Sequence, residues 1–121
     1  MTLRCVIVDD SPDVLRAATE FLHGEGIAVV GVATTGEEAV SLMEEHEPDV
    51  MLVDIALGPE SGFDLVRRLV QRVDTAGRRT ILISTHDEAD FADLIEASPA
   101  IGFLPKSELS AAAIHRLFGR R

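Results

Sequence analysis

The sequence predicts a doubly wound α/β fold: a five-stranded parallel sheet in the order 2-1-3-4-5, with helices on both faces. Three observations carry this. Five short apolar runs alternate with five amphipathic stretches along 121 residues, the pattern of linked strand–helix–strand units. The central run, Val50-Met51-Leu52-Val53-Asp54, is apolar without alternation and lies between Glu47-Pro48 and Gly58-Pro59, as expected of a strand buried on both faces. Pro105 closes the fifth run, and proline is best tolerated on an edge strand, where this order puts the fifth.

The first strand is read over Leu3 to Val8, ending in Asp9-Asp10. Ser11-Pro12 starts a helix, with serine as the N-cap and proline at the first helical position. Its apolar stripe is Val14, Ala18, Phe21 and Leu22, and Gly24 stops it. Ile27 to Ala33 is the second strand. Thr35-Gly36-Glu37-Glu38 matches a capping box and opens a helix that buries Ala39, Leu42 and Met43. After the Asp54 strand, an exit loop from Ile55 to Glu60 leads to Ser61, the cap of a helix carrying Leu65, Val66, Leu69, Val70 and Val73. Thr80 to Ser84 is the fourth strand, followed by a short helix through Phe91, Leu94 and Ile95 that Pro99 ends. Ala100 to Leu104 is the fifth strand, and Ser107 is expected to cap a last helix through Leu109, Ala113 and Leu117.

The length suits one domain, read as residues 1–121, with a core of aliphatic residues and five phenylalanines, since tryptophan and tyrosine are absent. A net charge of −10 argues against direct nucleic-acid binding, which needs a basic face. The single cysteine, Cys5, lies in an apolar run and reads as a small core residue, consistent with a reducing cytoplasm. No apolar run reaches the length of a membrane span, and no signal-peptide pattern opens the chain. His23, His46 and His115 are scattered and form no metal-ligand pattern.

Chemistry concentrates where strands end. Asp9 and Asp10 close the first strand, Asp54 the third, Ser84 the fourth, and Lys106 follows the fifth. In an open parallel sheet all these ends share one rim, and ligands bind there at the switch point between strands one and three. Each residue alone is ordinary: a helix N-terminal acid, a loop carboxylate, a strand-end hydroxyl, a surface ammonium. Their coincidence on one rim, with the second strand ending in uncharged Ala33-Thr34, is not. Crowded carboxylates repel unless a cation intervenes, and a few hard oxygen ligands suit Mg²⁺. With Lys106 as a mobile cation and Ser84 as a hydroxyl donor, the set would stabilise a phosphoryl group on Asp54.

These residues, with Phe103 three positions before the lysine, resemble the receiver domains of bacterial two-component response regulators, and the likeness covers the whole chain. The resemblance implies a flavodoxin-like receiver fold and a signalling domain rather than an enzyme. Asp54 would accept phosphate from a phosphohistidine on a sensor histidine kinase or phosphotransfer protein. Asp10 would bind Mg²⁺ directly, Asp9 through water, and Ala56 through its backbone carbonyl. Ser84 and Phe103 would form the switch, the hydroxyl swinging to the phosphoryl group and the ring turning inward. Ala56 and His86, two residues past Asp54 and Ser84, would tune the lifetime of the phosphate.

Three features depart from the usual family pattern: Ser107 rather than proline follows Lys106, Pro59 falls one position late, and Ala56 offers no side chain. An aspartyl-phosphate phosphatase of the haloacid-dehalogenase type would need a second Asp at position 56. A flavodoxin-like cofactor binder would need a phosphate cradle where Asp9-Asp10 stand. The segment from Phe103 to Leu109 is more like receivers joined to a DNA-binding output, so the chain is expected either to act alone or to be the receiver half of a transcriptional regulator. The fourth-helix segment is acidic, with Asp87, Glu88, Asp90, Asp93 and Glu96, while the last helix ends basic, with His115, Arg116, Arg120 and Arg121. With Ile114 and Phe118 expected to be exposed, this surface, made by the last two helices and the fifth strand, is a candidate homodimer face.

Overall fold

The computed structural model describes residues 2–118. The elements run β1 (Arg4–Val8), α1 (Pro12–Gly24), β2 (Ala28–Ala33), α2 (Gly36–His46), β3 (Val50–Asp54), a hairpin of β4 (Ala56–Leu57) and β5 (Glu60–Ser61), and α3 (Gly62–Arg72). They continue with β6 (Thr80–Ser84), α4 (Ala92–Ala97), β7 (Gly102–Pro105) and α5 (Ala111–Phe118). The main sheet is ordered β2-β1-β3-β6-β7. Without the small hairpin, this is the expected 2-1-3-4-5 order. All pairings in it are parallel, with Cys5 opposite Val50, Val53 opposite Leu82 and Ser84 opposite Pro105.

Alternation along the strands divides the core into two layers. Val6, Val8, Met51, Val53, Leu82 and Phe103 pack beneath α2 and α3, meeting Ala39, Met43, Phe63, Val66 and Leu69. Cys5, Ile7, Leu52, Ile81, Ile83 and Leu104 face the other way, against Leu15 and Leu22 of α1 and Ala113, Ile114 and Leu117 of α5. Every residue of β3 and β6 is buried, as strands covered on both faces must be.

The caps at Ser11, Thr35 and Ser61 form as expected, their hydroxyls accepting the N–H groups of Val14, Glu38 and Phe63. The capping box differs in its return arm. Glu38 Oε1 accepts the N–H and hydroxyl of Thr34, both at 2.9 Å, one residue before the cap. Gly24 is the last residue of α1, and the chain turns through Gly26 at φ 88°.

Six expectations are corrected. Phe21 is half exposed, because the buried stripe of α1 runs through Leu15 and Leu22 instead. Val73 lies just past α3, as its extended C-cap. Ser107 does not cap the last helix: Lys106–Glu108 is one 3₁₀ turn, Leu109 is extended and partly buried beside the α1 layer, and the helix begins at Ala111. Ser110 supplies the cap, accepting from Ala113 N at 3.0 Å. The last strand runs Gly102–Pro105 rather than from Ala100, whose N–H turns back to the Ser98 hydroxyl. Ile114 is fully buried against the sheet, not exposed, while Leu94, expected on the inner stripe of α4, is 48% exposed. Arg120 and Arg121 lie outside the described residues. No helix among the described residues is long and apolar enough to cross a membrane.

Candidate functional site

β1 and β3 lie side by side, so the chain leaves both strands on the same rim, and there the acids meet. Asp9, Asp10 and Asp54 each offer a carboxylate oxygen within 4.8 Å of the others. Asp9 and Asp54 are buried, and Asp10 is exposed. Ser11 N–H donates to Asp9 Oδ1 at 2.9 Å, so the residue that caps α1 also fixes the neighbouring acid. Ala56 N–H donates to Asp54 Oδ1 at 3.1 Å.

Lys106 arrives from the far flank, just past β7. Its Nζ lies 2.6 Å from Asp9 Oδ2 and 3.1 Å from Asp54 Oδ2, bridging both buried carboxylates. Burial pushes the Asp54 carboxyl above its ordinary range and Asp9 adds to this, against the Ala56 N–H and the Lys106 charge. For Lys106, burial is outweighed by the hydrogen bond to Asp9 and the charge of Asp54, so its pKa is raised. Three carboxylates face one ammonium, which leaves two negative charges unmatched when all are ionised. An oxygen-only donor set of this kind fits a hard divalent cation such as Mg²⁺.

Ser84 is buried, one residue past Ile83, the ladder partner of Asp54. Its Oγ accepts His86 N–H at 3.0 Å and lies 3.5 Å from His86 Nδ1. The His86 ring meets Phe91 edge-on at 5.8 Å, and Phe91 lies 6.3 Å from Phe63. Phe103 is already inside, 6% exposed, in the layer beneath α2 and α3. The Lys106–Ser107 peptide is trans.

The structure thus gathers Asp9, Asp10, Asp54 and Lys106 into one cluster, with Ser84 next to it in the sheet. Sequence reasoning passed over Glu60 as the end of a loop. It accepts Gly36 N–H at 3.0 Å and pairs with Arg68, and no local pattern signals a contact made 24 residues away. Phe91, assigned only to a helix stripe, is the contact of His86.

A family model of the response regulator receiver domain matches residues 5–117. The chain is 35% identical over 111 residues to protein-glutamate methylesterase/protein-glutamine glutaminase 3 of Pseudomonas syringae pv. syringae, covering 88% of this chain and 28% of that protein. It is 34% identical over 85 residues to protein PilH of Pseudomonas aeruginosa, covering 70% of this chain and 69% of the other. Among solved structures, a two-component response regulator of the LuxR family from Aurantimonas sp. superposes with a TM-score of 0.83 at 29% identity. That match covers 100% of this chain and 89% of the other. The chain therefore spans under a third of the methylesterase it matches, and the match lies in the receiver portion. The fold, the acid rim and these matches agree: the chain belongs to the response regulator receiver domain family.

Proposed function

We propose that this domain is a phosphorylation-dependent switch in which Asp54 takes a phosphoryl group from a phosphohistidine on a sensor kinase or phosphotransfer protein. The observation that carries this is Asp54 itself: a buried carboxylate beside two others, with one oxygen 3.1 Å from Lys106 Nζ. In the transfer, the phosphorus–nitrogen bond of the donor breaks and a phosphorus–oxygen bond to Asp54 forms. The departing imidazole keeps the electron pair and takes up a proton. Asp10, Asp54 and the Ala56 carbonyl, with Asp9 through water, would hold Mg²⁺, which when bound would supply charge neutralisation at the phosphoryl oxygens.

Lys106, already between Asp9 and Asp54, pairs with the added negative charge. The Ser84 hydroxyl swings from the His86 backbone N–H, from which it accepts, to donate its O–H to a phosphoryl oxygen, and Phe103 reports that movement in the layer beneath α2 and α3. Ala56 has no side chain to cover the site, and His86, tied to the Ser84 hydroxyl, orients the water that later hydrolyses the acyl phosphate. Output passes to a separate protein or to an attached domain, and the likeness to a protein of Pseudomonas aeruginosa described as a transcriptional regulator favours that output. A second copy bound through α4, β7 and α5 is part of this reading. Sedimentation with beryllofluoride should then show a larger species than without it, and identical monomers would remove the homodimer. The proposed location is the cytoplasm.

Incubation with acetyl phosphate and Mg²⁺, followed by intact-mass spectrometry, tests the assignment. Wild type should gain the mass of one phosphoryl group, and neither Asp54→Ala nor metal-free wild type should. An undiminished adduct on Asp54→Ala would sink the proposal.

A further inference from the structure

We propose that Glu60 is a positioning residue for the acid rim: its carboxylate fixes the β4–β5 hairpin, and with it the Ala56 backbone, over Asp54. The inference rests on the reading of Asp54 as a Mg²⁺-assisted phosphoacceptor.

β3 leaves the sheet at Asp54, and the chain at once folds back on itself, pairing Ala56 with Ser61 and Leu57 with Glu60. The turn passes through Gly58 at φ 69°, a left-handed conformation natural to glycine. There it runs close to the rim, since a Cβ on Gly58 would lie 3.8 Å from Asp10 Oδ2. The inner strand carries Ala56, whose N–H donates to Asp54 Oδ1 and whose carbonyl is the proposed metal ligand. Strands of two residues cannot hold an orientation by their own ladder. Something else must aim this hairpin.

Glu60, on the outer strand, is tied at both oxygens. Oε1 accepts the N–H of Gly36, the first residue of α2, at 3.0 Å. Oε2 pairs with Arg68 of α3. A carboxylate at a helix N-terminus satisfies an otherwise unpaired donor and interacts well with the helix dipole. The slot is shaped for it: a Cβ on Gly36 would fall 2.2 Å from Oε1, so no other residue type at position 36 leaves the carboxylate where it is. The Glu60 side chain is 26% exposed, more enclosed than its partner Arg68 at 46%. One side chain thus braces the metal-side hairpin against two helices.

The test separates positioning from plain stability. In metal-free protein, hydrogen exchange of the 55–62 peptide reads the hairpin directly. Calorimetry then gives the Mg²⁺ affinity, and thermal melting gives global stability. Glu60→Ala should speed exchange in 55–62 and weaken Mg²⁺ binding about tenfold, the usual scale for removing a group that orients a metal ligand. Glu60→Gln keeps an acceptor for Gly36 N–H and should recover most of that affinity. Glu25→Ala, which removes the carboxylate bonded to Ala111 N at the start of α5, should lower the melting temperature and leave both other readouts at wild type.

Glu60→Ala binding Mg²⁺ as tightly as wild type would overturn the proposal, as would Glu25→Ala weakening Mg²⁺ equally. Arg68→Ala, which removes one anchor only, should shift exchange and affinity in the same direction by less. If Glu60→Ala does not fold, an Arg68→Ala protein at wild-type values overturns the proposal. Wild type that binds Mg²⁺ yet takes no phosphoryl group from acetyl phosphate defeats the phosphoacceptor reading and leaves Glu60 judged on the binding data. Wild type that binds no Mg²⁺ overturns both.

Discussion

At position 54 burial works against charge. A carboxyl whose folded pKa lies above the ordinary 3.8 binds its proton more tightly in the folded chain than in the unfolded one. Asp54 therefore favours folding most when protonated, and that advantage is lost as pH rises from 3.8 through the folded value. At neutral pH its ionised form opposes folding. Asp54→Asn should accordingly melt higher than wild type at pH 7, with the difference shrinking as pH falls toward 3.8, measured by calorimetry across that range. Lys106 runs the opposite way at the alkaline end: its raised pKa adds stability that is complete below 10.5 and lost as pH climbs through the folded value. His86 belongs to the same scale. Its ring Nδ1 lies 3.5 Å from the Ser84 hydroxyl, so His86→Ala, which keeps the backbone N–H but removes the ring, should change the rate at which phosphorylated protein loses phosphate, followed by intact mass over time. An unchanged rate would end that role.

Between elements, the joints are made by side chains reaching across the fold rather than by local caps alone. Glu25, just past α1, accepts Ala111 N–H at 2.7 Å and so caps α5 from 86 residues away. Its removal should cost about 1 kcal/mol, the usual value for a lost N-terminal cap. Glu60 does the same for α2. Glycines allow the closest approaches. A Cβ on Gly62 would lie 2.1 Å from the Asp54 carbonyl oxygen, which is backbone and cannot swing aside. Gly62→Ala should therefore displace the end of β3, destabilise the fold by about 3 kcal/mol in denaturant titration, and weaken Mg²⁺ binding with it. Gly102 sits against Leu117 in the same manner, 2.9 Å from a built Cβ to Leu117 Cδ2. That contact involves a side chain tip, so the neighbour can shift.

For the molecule as a whole, the net charge is −10, and two of its 21 acidic residues, Asp9 and Asp54, are buried together at the rim. The rim carries three carboxylates, two of them buried, and among the described residues Lys106 is the cation that bridges the buried pair. A divalent cation that binds the folded chain alone must raise its stability, by about 2.7 kcal/mol at a hundredfold excess over its Kd. The melting temperature should rise with Mg²⁺ in wild type and far less in Asp54→Asn. Equal shifts in the two proteins would mean that the ion binds elsewhere. Cys5, buried with its thiol pushed up to about 12, takes no part in this chemistry.

The sequence by itself determined the layered fold, the order of the five main strands and the identity of the clustered acids and lysine. Apolar runs, helix caps and a proline-ended edge strand are local signals, and in a parallel sheet every strand end falls on one rim, so topology turned scattered residues into neighbours. Only the tertiary structure decided that Lys106 bridges Asp9 and Asp54, that Glu60 braces the hairpin, and which helix faces are covered. Helical spacing marks an apolar stripe but not what lies over it. Phe21 therefore reads as interior and is half exposed, while Ile114 reads as surface and is buried. The cap of the last helix lies three residues past the expected Ser107 for a related reason: Leu109 packs beside the α1 layer in extended form, a gain that no local pattern of Ser107-Glu108-Leu109-Ser110 records.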